Sequence, residues 1–294
     1  MIQFLKYRVW IATASVLFIG VFLIDGLYQY KNKGAVFLYS IDFTGGTQVL
    51  LKTSSPLSVD NLRANLADSG WSSVDVRAFG NNEYLVKIQD FASDVKGLGK
   101  KIQEKTQELI PEGTVELLQS EAVGPGVGES LRTKSLQAIV VALILMLLYI
   151  AFRFWSFAFA IGAVVALLHD AIAMLAMLFF FKQDISMNVI GAMLAVLGYS
   201  INDTIVIFSR IRQDIARHQG QPLEITVNES INRTLTRTIL TSLSTILPVL
   251  AMFFFGGEAL HSLSFVLVTG ILFGTYSSIY IASPVMMLFY GEKK

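Results

Sequence analysis

Six long apolar runs govern what this chain can fold into: Val9–Tyr30, Leu136–Trp155, Phe157–Phe181, Ser186–Phe208, Ile239–Phe255 and Leu263–Tyr290. Each reaches or approaches the roughly 20 residues that a helix needs to cross a hydrocarbon core. In lipid a single segment can satisfy its backbone only as a helix, so the runs predict six transmembrane helices. Charged residues make up 15% of the chain, well below the ~25% of a soluble domain. The first run exceeds the ~7–15 residues of a signal-peptide core and no A-x-A-like cleavage site follows, so it is read as an anchor.

Loop charge gives the orientation. Lys6, Arg8, Arg153, Arg210, Arg212, Arg217, Arg233, Arg237, Lys293 and Lys294 fall on the side of the N-terminus, and only Lys182 falls on the other. The segment between the first two spans is too long to count under the positive-inside rule. Both termini and a loop at about 209–235 are therefore expected in the cytoplasm, and residues 31–133 outside it. This divides the chain into an N-terminus with its first helix (1–30), an extracytoplasmic domain (31–133) and helices two to six (134–294). A net charge of +1 gives no field for nucleic acid. With no cysteine and three scattered histidines, neither a metal centre nor a thiol nucleophile is expected.

Residues 31–133 carry 11 basic and 13 acidic residues, enough for a water-soluble domain. Gln48–Lys52 reads as a strand, and a helix follows with Ser58 as N-cap and Gly70 as stop. Val74–Phe79 and Tyr84–Ile88 alternate across a turn at Gly80–Asn82. A charged helix near Lys100–Ile110 ends at Pro111 and Gly113, before a strand at Thr114–Leu118. The order βαββαβ predicts an α+β domain of ferredoxin-like pattern. Two glycine motifs flank it, Asp42-Phe43-Thr44-Gly45-Gly46-Thr47 and Gly124-Pro125-Gly126-Val127-Gly128. A phosphate site would need a helix N-terminus straight after the glycines, but a strand follows Gly46, so these glycines are read as turns.

Ionisable groups inside spans are expensive and so point to function. His169 and Asp170 sit midway along the third span, Asp203 lies in the fourth and Arg237 near the start of the fifth. Counted from Arg210 and Arg233, Asp203 and Arg237 lie at comparable depth, roughly 10 and 6 Å in, and can pair across ~4 Å. Arg233, Arg237, Thr241, Ser244 or Thr245, and Pro248 form one polar stripe expected to face protein or water. Two readings stay open: a static ion pair that sets helix register, or a carboxylate that gains and loses a proton beside Arg237. His169 and Asp170 can likewise simply hydrogen-bond across helices. Gly270, Gly274, Ser278 and Ala282 read as a close-packing face.

With these residues collected, the chain resembles the SecF family of bacterial protein-export membrane subunits over nearly its whole length. The likeness rests on Asp42 to Thr47 with its Gly45-Gly46 pair, on His169-Asp170, and on Gly198 to Thr204. It rests further on Arg210-Ile211-Arg212 and on Asn232 to Thr238. Relatives commonly carry acids on either side of the Arg-Ile-Arg run, where this chain has Ser209 and Gln213. That family is similar to the resistance–nodulation–division transporters, and the resemblance implies a six-helix half of such a bundle, completed by SecD. It implies an inner-membrane, non-enzymatic accessory role that uses the proton-motive force to promote late translocation of preproteins. The implied partners are SecD, the SecYEG channel with SecA, YajC and YidC, the preprotein itself and membrane lipid. Asp203 and Arg237 are then the proton-pathway pair, with His169, Asp170, Asn202 and Thr241 secondary, and protons are the only coupling species.

Two other classes compete. An aspartyl protease using Asp170 and Asp203 would need its carboxylates about 3 Å apart, whereas their estimated depths differ by about 10 Å. No HExxH or GxSxG motif occurs either. Half of a proton-driven small-molecule or lipid exporter would share the fold, but such exporters have large porter domains where this chain has one small unit.

Overall fold

The structure is a computed structural model that describes residues 1–71, 73–79, 82–89 and 94–291. The chain forms two compact units, Met1–Leu38 with Gln137–Lys294, and Tyr39–Leu136. A 3-10 turn at Phe4–Tyr7 leads into α1 (Arg8–Lys33). That helix ends at Gly34, whose φ of 72° lets its N–H return 2.9 Å to the Tyr30 carbonyl, an end that only glycine adopts freely.

The second unit contains β1 (Gly46–Thr53), α2 (Val59–Asp68), β2 (Asp75–Phe79), β3 (Glu83–Ile88), α3 (Val95–Gln107) and β4 (Val115–Val123). Its sheet runs β2-β3-β1-β4 with every neighbour antiparallel. This is the split arrangement in which each helix crosses over one strand. Alternation supplies the reason: Val49, Leu51, Val86 and Ile88 all point to one face and bury against Leu62 and Leu66 of α2 and Ile102 of α3. Helix α3 starts at Val95, ahead of the expected Lys100, because Asp94 caps it by accepting from the Gly97 N–H at 2.9 Å. Ser58 precedes α2 as expected, yet its side chain makes no capping bond. Of the expected turn at Gly80–Asn82, Gly80 and Asn81 lie outside the described residues, as do Lys293 and Lys294.

The two glycine motifs meet in this unit. Ser40 caps a one-turn helix, Ile41–Thr44, by accepting from the Asp42 N–H, and Gly45 and Gly46 then turn the chain into β1 with φ of 73° and 110°. A Cβ on Gly46 would strike the Ile88 carbonyl, and one on Gly128 would sit 3.0 Å from the Gly45 nitrogen.

The remaining elements are α4 (Pro125–Phe154), α5 (Phe157–Phe180), α6 (Met187–Arg217), α7 (Leu223–Phe255) and α8 (Glu258–Ser277). A π-helical turn, Ser278–Ala282, joins α8 to α9 (Ser283–Tyr290). Pro284 lacks the N–H that an α-helix would direct at Tyr280, and the chain widens just ahead of it. Among the described residues, six helical segments are long and apolar enough to cross a membrane. In the third, fourth and sixth spans more than half of the most apolar window is buried, against 6% in the fifth. The core is therefore α5, α6 and α8, with α7 largely uncovered. Gly270 packs on Val196 and Met174, and Gly274 on Ser200, so the small residues of α8 do bring it close to its neighbours.

The expected cytoplasmic loop at about 209–235 is corrected by the structure. Helices α6 and α7 continue to Arg217 and from Leu223, which leaves only residues 218–222 between them. The hydropathy of this region falls but its helical order persists, through i,i+4 pairs such as Arg210 with Asp214 at 2.9 Å. The boundaries of the α+β unit likewise fall at Leu38/Tyr39 and Leu136/Gln137 rather than at 31 and 133.

The Gly46 geometry carries a prediction. Gly46→Ala should destabilise the outer sheet by about 1–3 kcal/mol, read as faster hydrogen exchange of β1 and β3 amides in the solubilised full chain. Gly126→Ala, at a position with open space around it, should leave that protection unchanged. Equal protection in both variants would contradict the account of the turn.

Candidate functional site

Three clusters of buried polar groups in the membrane unit centre on carboxyls that lie on or against α6. The first centres on Asp170 of α5, which is 0% exposed. Its Oδ2 accepts from the Ser200 hydroxyl of α6 at 2.5 Å and from the Ser277 hydroxyl of α8 at 2.9 Å, while its Oδ1 lies 3.2 Å from His169 Nδ1. One carboxyl thus ties together the three core helices. His169 is also buried, its ring beside Phe273 and Tyr276, and its Nε2 has no hydrogen-bond partner. Tyr276 in turn bonds the Ser15 hydroxyl of α1.

The second cluster surrounds Asp203, and here satisfaction fails. Asp203 is 3% exposed, yet its Oδ2 has no hydrogen-bond partner. The expected ion pair with Arg237 is absent: among the described residues no salt bridge joins them, and Arg237 is exposed on α7. Comparable depth did not bring the two together: Arg237 is exposed on α7, whereas Asp203 is buried. Helix register identifies what does lie level with Asp203. Tyr199 on α6 donates to Ser242 on α7 at 3.2 Å, and Ser230 on α7 donates to Asp214 on α6 at 2.9 Å. Counting from the two bonds along these antiparallel helices places Asp203 level with the turn from Thr238 to Thr241. The Thr238 hydroxyl is buried and it too lacks a partner. Two neighbouring polar orphans at one level of one interface require explanation.

The polar stripe of α7 is exposed on this chain at Arg233, Arg237, Ser244 and Pro248. The Thr241 and Thr245 hydroxyls bond back to carbonyls of their own helix, at 3.0 and 2.8 Å. Asn202, beside Asp203, is likewise exposed, and Gly198 has open space where a Cβ would be. Thr241, Thr245 and Gly198 are partly covered.

Sequence reasoning missed the third cluster. Asp214 is 1% exposed and accepts from Arg210 Nε at 2.9 Å and from the Ser230 hydroxyl, with Arg233 at 3.6 Å. The i,i+4 spacing of Arg210 and Asp214 was the available signal. Arg212, the other arginine of that motif, points away and is exposed. Ser277 was missed too, since no charge marks it. The Asp170–Asp203 depth gap also shrinks: Ser200, bonded to Asp170, precedes Asp203 by three residues, about 4.5 Å of rise. The carboxyls are nonetheless separately disposed, one fully hydrogen-bonded and one not. Asp42, Gly45 and Gly46 belong to the outer turn already described.

A polytopic helical bundle with isolated buried carboxyls, an uncovered polar face and one small α+β unit defines a membrane protein built as part of a larger assembly. The C-terminal model of the protein export membrane proteins SecD/SecF matches residues 101–292, and the SecD/SecF GG motif matches residues 39–57. The protein translocase subunit SecF of Calditerrivibrio nitroreducens is 39% identical over 279 residues, spanning 94% of this chain and 91% of that one. The protein translocase subunit SecDF of Thermus thermophilus is 38% identical over 88% of this chain but only 35% of its own length. A crystal structure of SecDF from Thermus thermophilus, a translocon-associated membrane protein, superposes with a TM-score of 0.84 at 34% identity. The match covers 98% of this chain and 38% of that one, so the chain spans well under half of the fused relative. The chain belongs to the SecF family of protein-export membrane proteins.

The contrast between the two carboxyls is testable by stability. Asp170→Ala strands two serine hydroxyls and His169, at about 1–3 kcal/mol for each buried polar group left unsatisfied, and should sharply lower the thermal unfolding temperature in detergent. Asp203→Asn breaks no ion pair and should leave that temperature nearly unchanged. A larger loss for Asp203→Asn than for Asp170→Ala would contradict the assignment.

Proposed function

We propose that this chain is the SecF half of a proton-driven accessory to the Sec protein translocase. In this reading it lies in the bacterial inner membrane with both termini cytoplasmic and the α+β unit outside, as its loop charges favour. A SecD half covers the exposed face of α6 and α7, and the assembled pair acts on preproteins leaving SecYEG after SecA has started them. YajC and YidC belong to the same neighbourhood. The chain does no bond-making chemistry of its own and needs no cofactor beyond the protons it couples.

One observation carries the mechanism: a buried Asp203 carboxyl with an oxygen that nothing satisfies, beside an arginine held on an uncovered face. Transporters built from two repeated halves place their sites between those halves. When SecD closes over α6 and α7, Arg237, Asn202 and Thr241 come to line a buried interface shared with Asp203. A proton arriving at Asp203 removes the charge, frees Arg237 and changes how the halves fit. Proton release outward or inward then resets the pair, and the outer unit moves with the helices to which it is joined. Asp170, already fully bonded, holds the core against which this change works. His169, with its free Nε2, stands at the edge of that core.

The experiment is preprotein translocation into inverted membrane vesicles carrying the assembled complex, with and without an uncoupler. Asp203→Asn should assemble normally and lose all uncoupler-sensitive stimulation. Arg237→Met with Asp203→Asn should assemble as well and remain uncoupled. Uncoupler-sensitive stimulation in the double variant would refute the proton role.

A further inference from the structure

A cavity of about 420 Å³ opens where α4 ends, lined by Arg153, Phe154, Ser209, Arg212, Gln213 and Ala216. Its two arginines come from different helices, Arg153 from the last turn of α4 and Arg212 from α6. Three other arginines of this end are engaged, Arg210 and Arg233 with Asp214 and Arg8 with Glu224. Arg153 and Arg212 form no salt bridge among the described residues, and the cavity wall contains no carboxylate. Ser209 and Gln213 can donate hydrogen bonds there without adding negative charge. The Arg153 guanidinium lies 5.4 Å over the Phe154 ring, which fixes its plane. Next to Arg153 and Phe154 in the chain, Phe152, Trp155 and Phe157 are 71%, 80% and 74% exposed. Of these, the amphipathic Trp155 ring suits the level of lipid headgroups.

We infer that this cavity binds the headgroup of an anionic diacyl phospholipid. Two unpaired guanidinium forks suit the oxygens of a phosphodiester, and basic pockets between spans at the membrane surface take such headgroups. The exposed aromatic rings and the apolar flank of α4, including Leu145, Leu148 and Tyr149, give the acyl chains a path. This favours a lipid over a free anion. The site lies on this chain alone and does not depend on the proton reading of Asp203.

The test uses the full chain in nanodiscs of phosphatidylcholine with a minor fraction of phosphatidylglycerol. After re-extraction in mild detergent, mass spectrometry gives the ratio of the two lipids retained. The native chain should retain phosphatidylglycerol above its bulk fraction. Arg153→Gln or Arg212→Gln should lower that enrichment about fivefold and the pair about 25-fold. Ser209→Asp with Gln213→Glu, which leaves both arginines in place, should abolish it by adding two carboxylates. Unchanged enrichment in the double arginine variant would overturn the site. Displacement of the retained lipid by inorganic phosphate would overturn its assignment to a lipid.

Discussion

A carboxyl group placed inside a membrane span costs about 2.5–3.5 kcal/mol on insertion scales, and the membrane unit is organised around how two such groups are treated. Asp170 is satisfied by its surroundings: hydroxyls from Ser200 and Ser277 and the His169 ring close around it. Those bonds require α5, α6 and α8 to approach closely, and Gly270 and Gly274 remove the side chains that would hold them apart. Asp203, three residues beyond Ser200 on the same helix, is buried by the same packing but receives nothing on Oδ2.

The consequence is a division of labour within one helix. The half of α6 that faces α5 and α8 is a rigid, hydrogen-bonded core. The half that faces α7 holds Asp203, whose Oδ2 is buried and unmatched, and the Thr238 hydroxyl of α7 is buried and unmatched as well. A structural ion pair would have joined Asp203 to Arg237 within one chain. Instead, no salt bridge joins them among the described residues, and Arg237 is exposed on α7.

Much of this was legible in the sequence, for reasons that differ by element. Apolar length gave the six spans, since nothing else in the chain competes with lipid for those runs. Alternation and turn residues gave the βαββαβ order, though edges such as Val95 and Val123 depended on caps and pairing that spacing does not encode. His169, Asp170 and Asp203 stood out because charge inside a span is rare. Ser200 and Ser277 were hidden because serine is cheap in a membrane helix and gains meaning only from the acceptor it reaches. Asp214 was hidden because it follows the apolar run, where acids are ordinary. The failed Asp203–Arg237 pairing shows the limit of depth counting: it gives the level of a residue on its helix and says nothing about the direction of its side chain.

The claim that Asp170 is structural while Asp203 exchanges its proton is tested most directly by infrared difference spectroscopy on the assembled complex, comparing carboxylic-acid absorption across a pH jump. The account predicts a pH-dependent carboxylic band that disappears in Asp203→Asn and persists in Asp170→Asn. A band that survives in Asp203→Asn, or one that disappears only in Asp170→Asn, would contradict it.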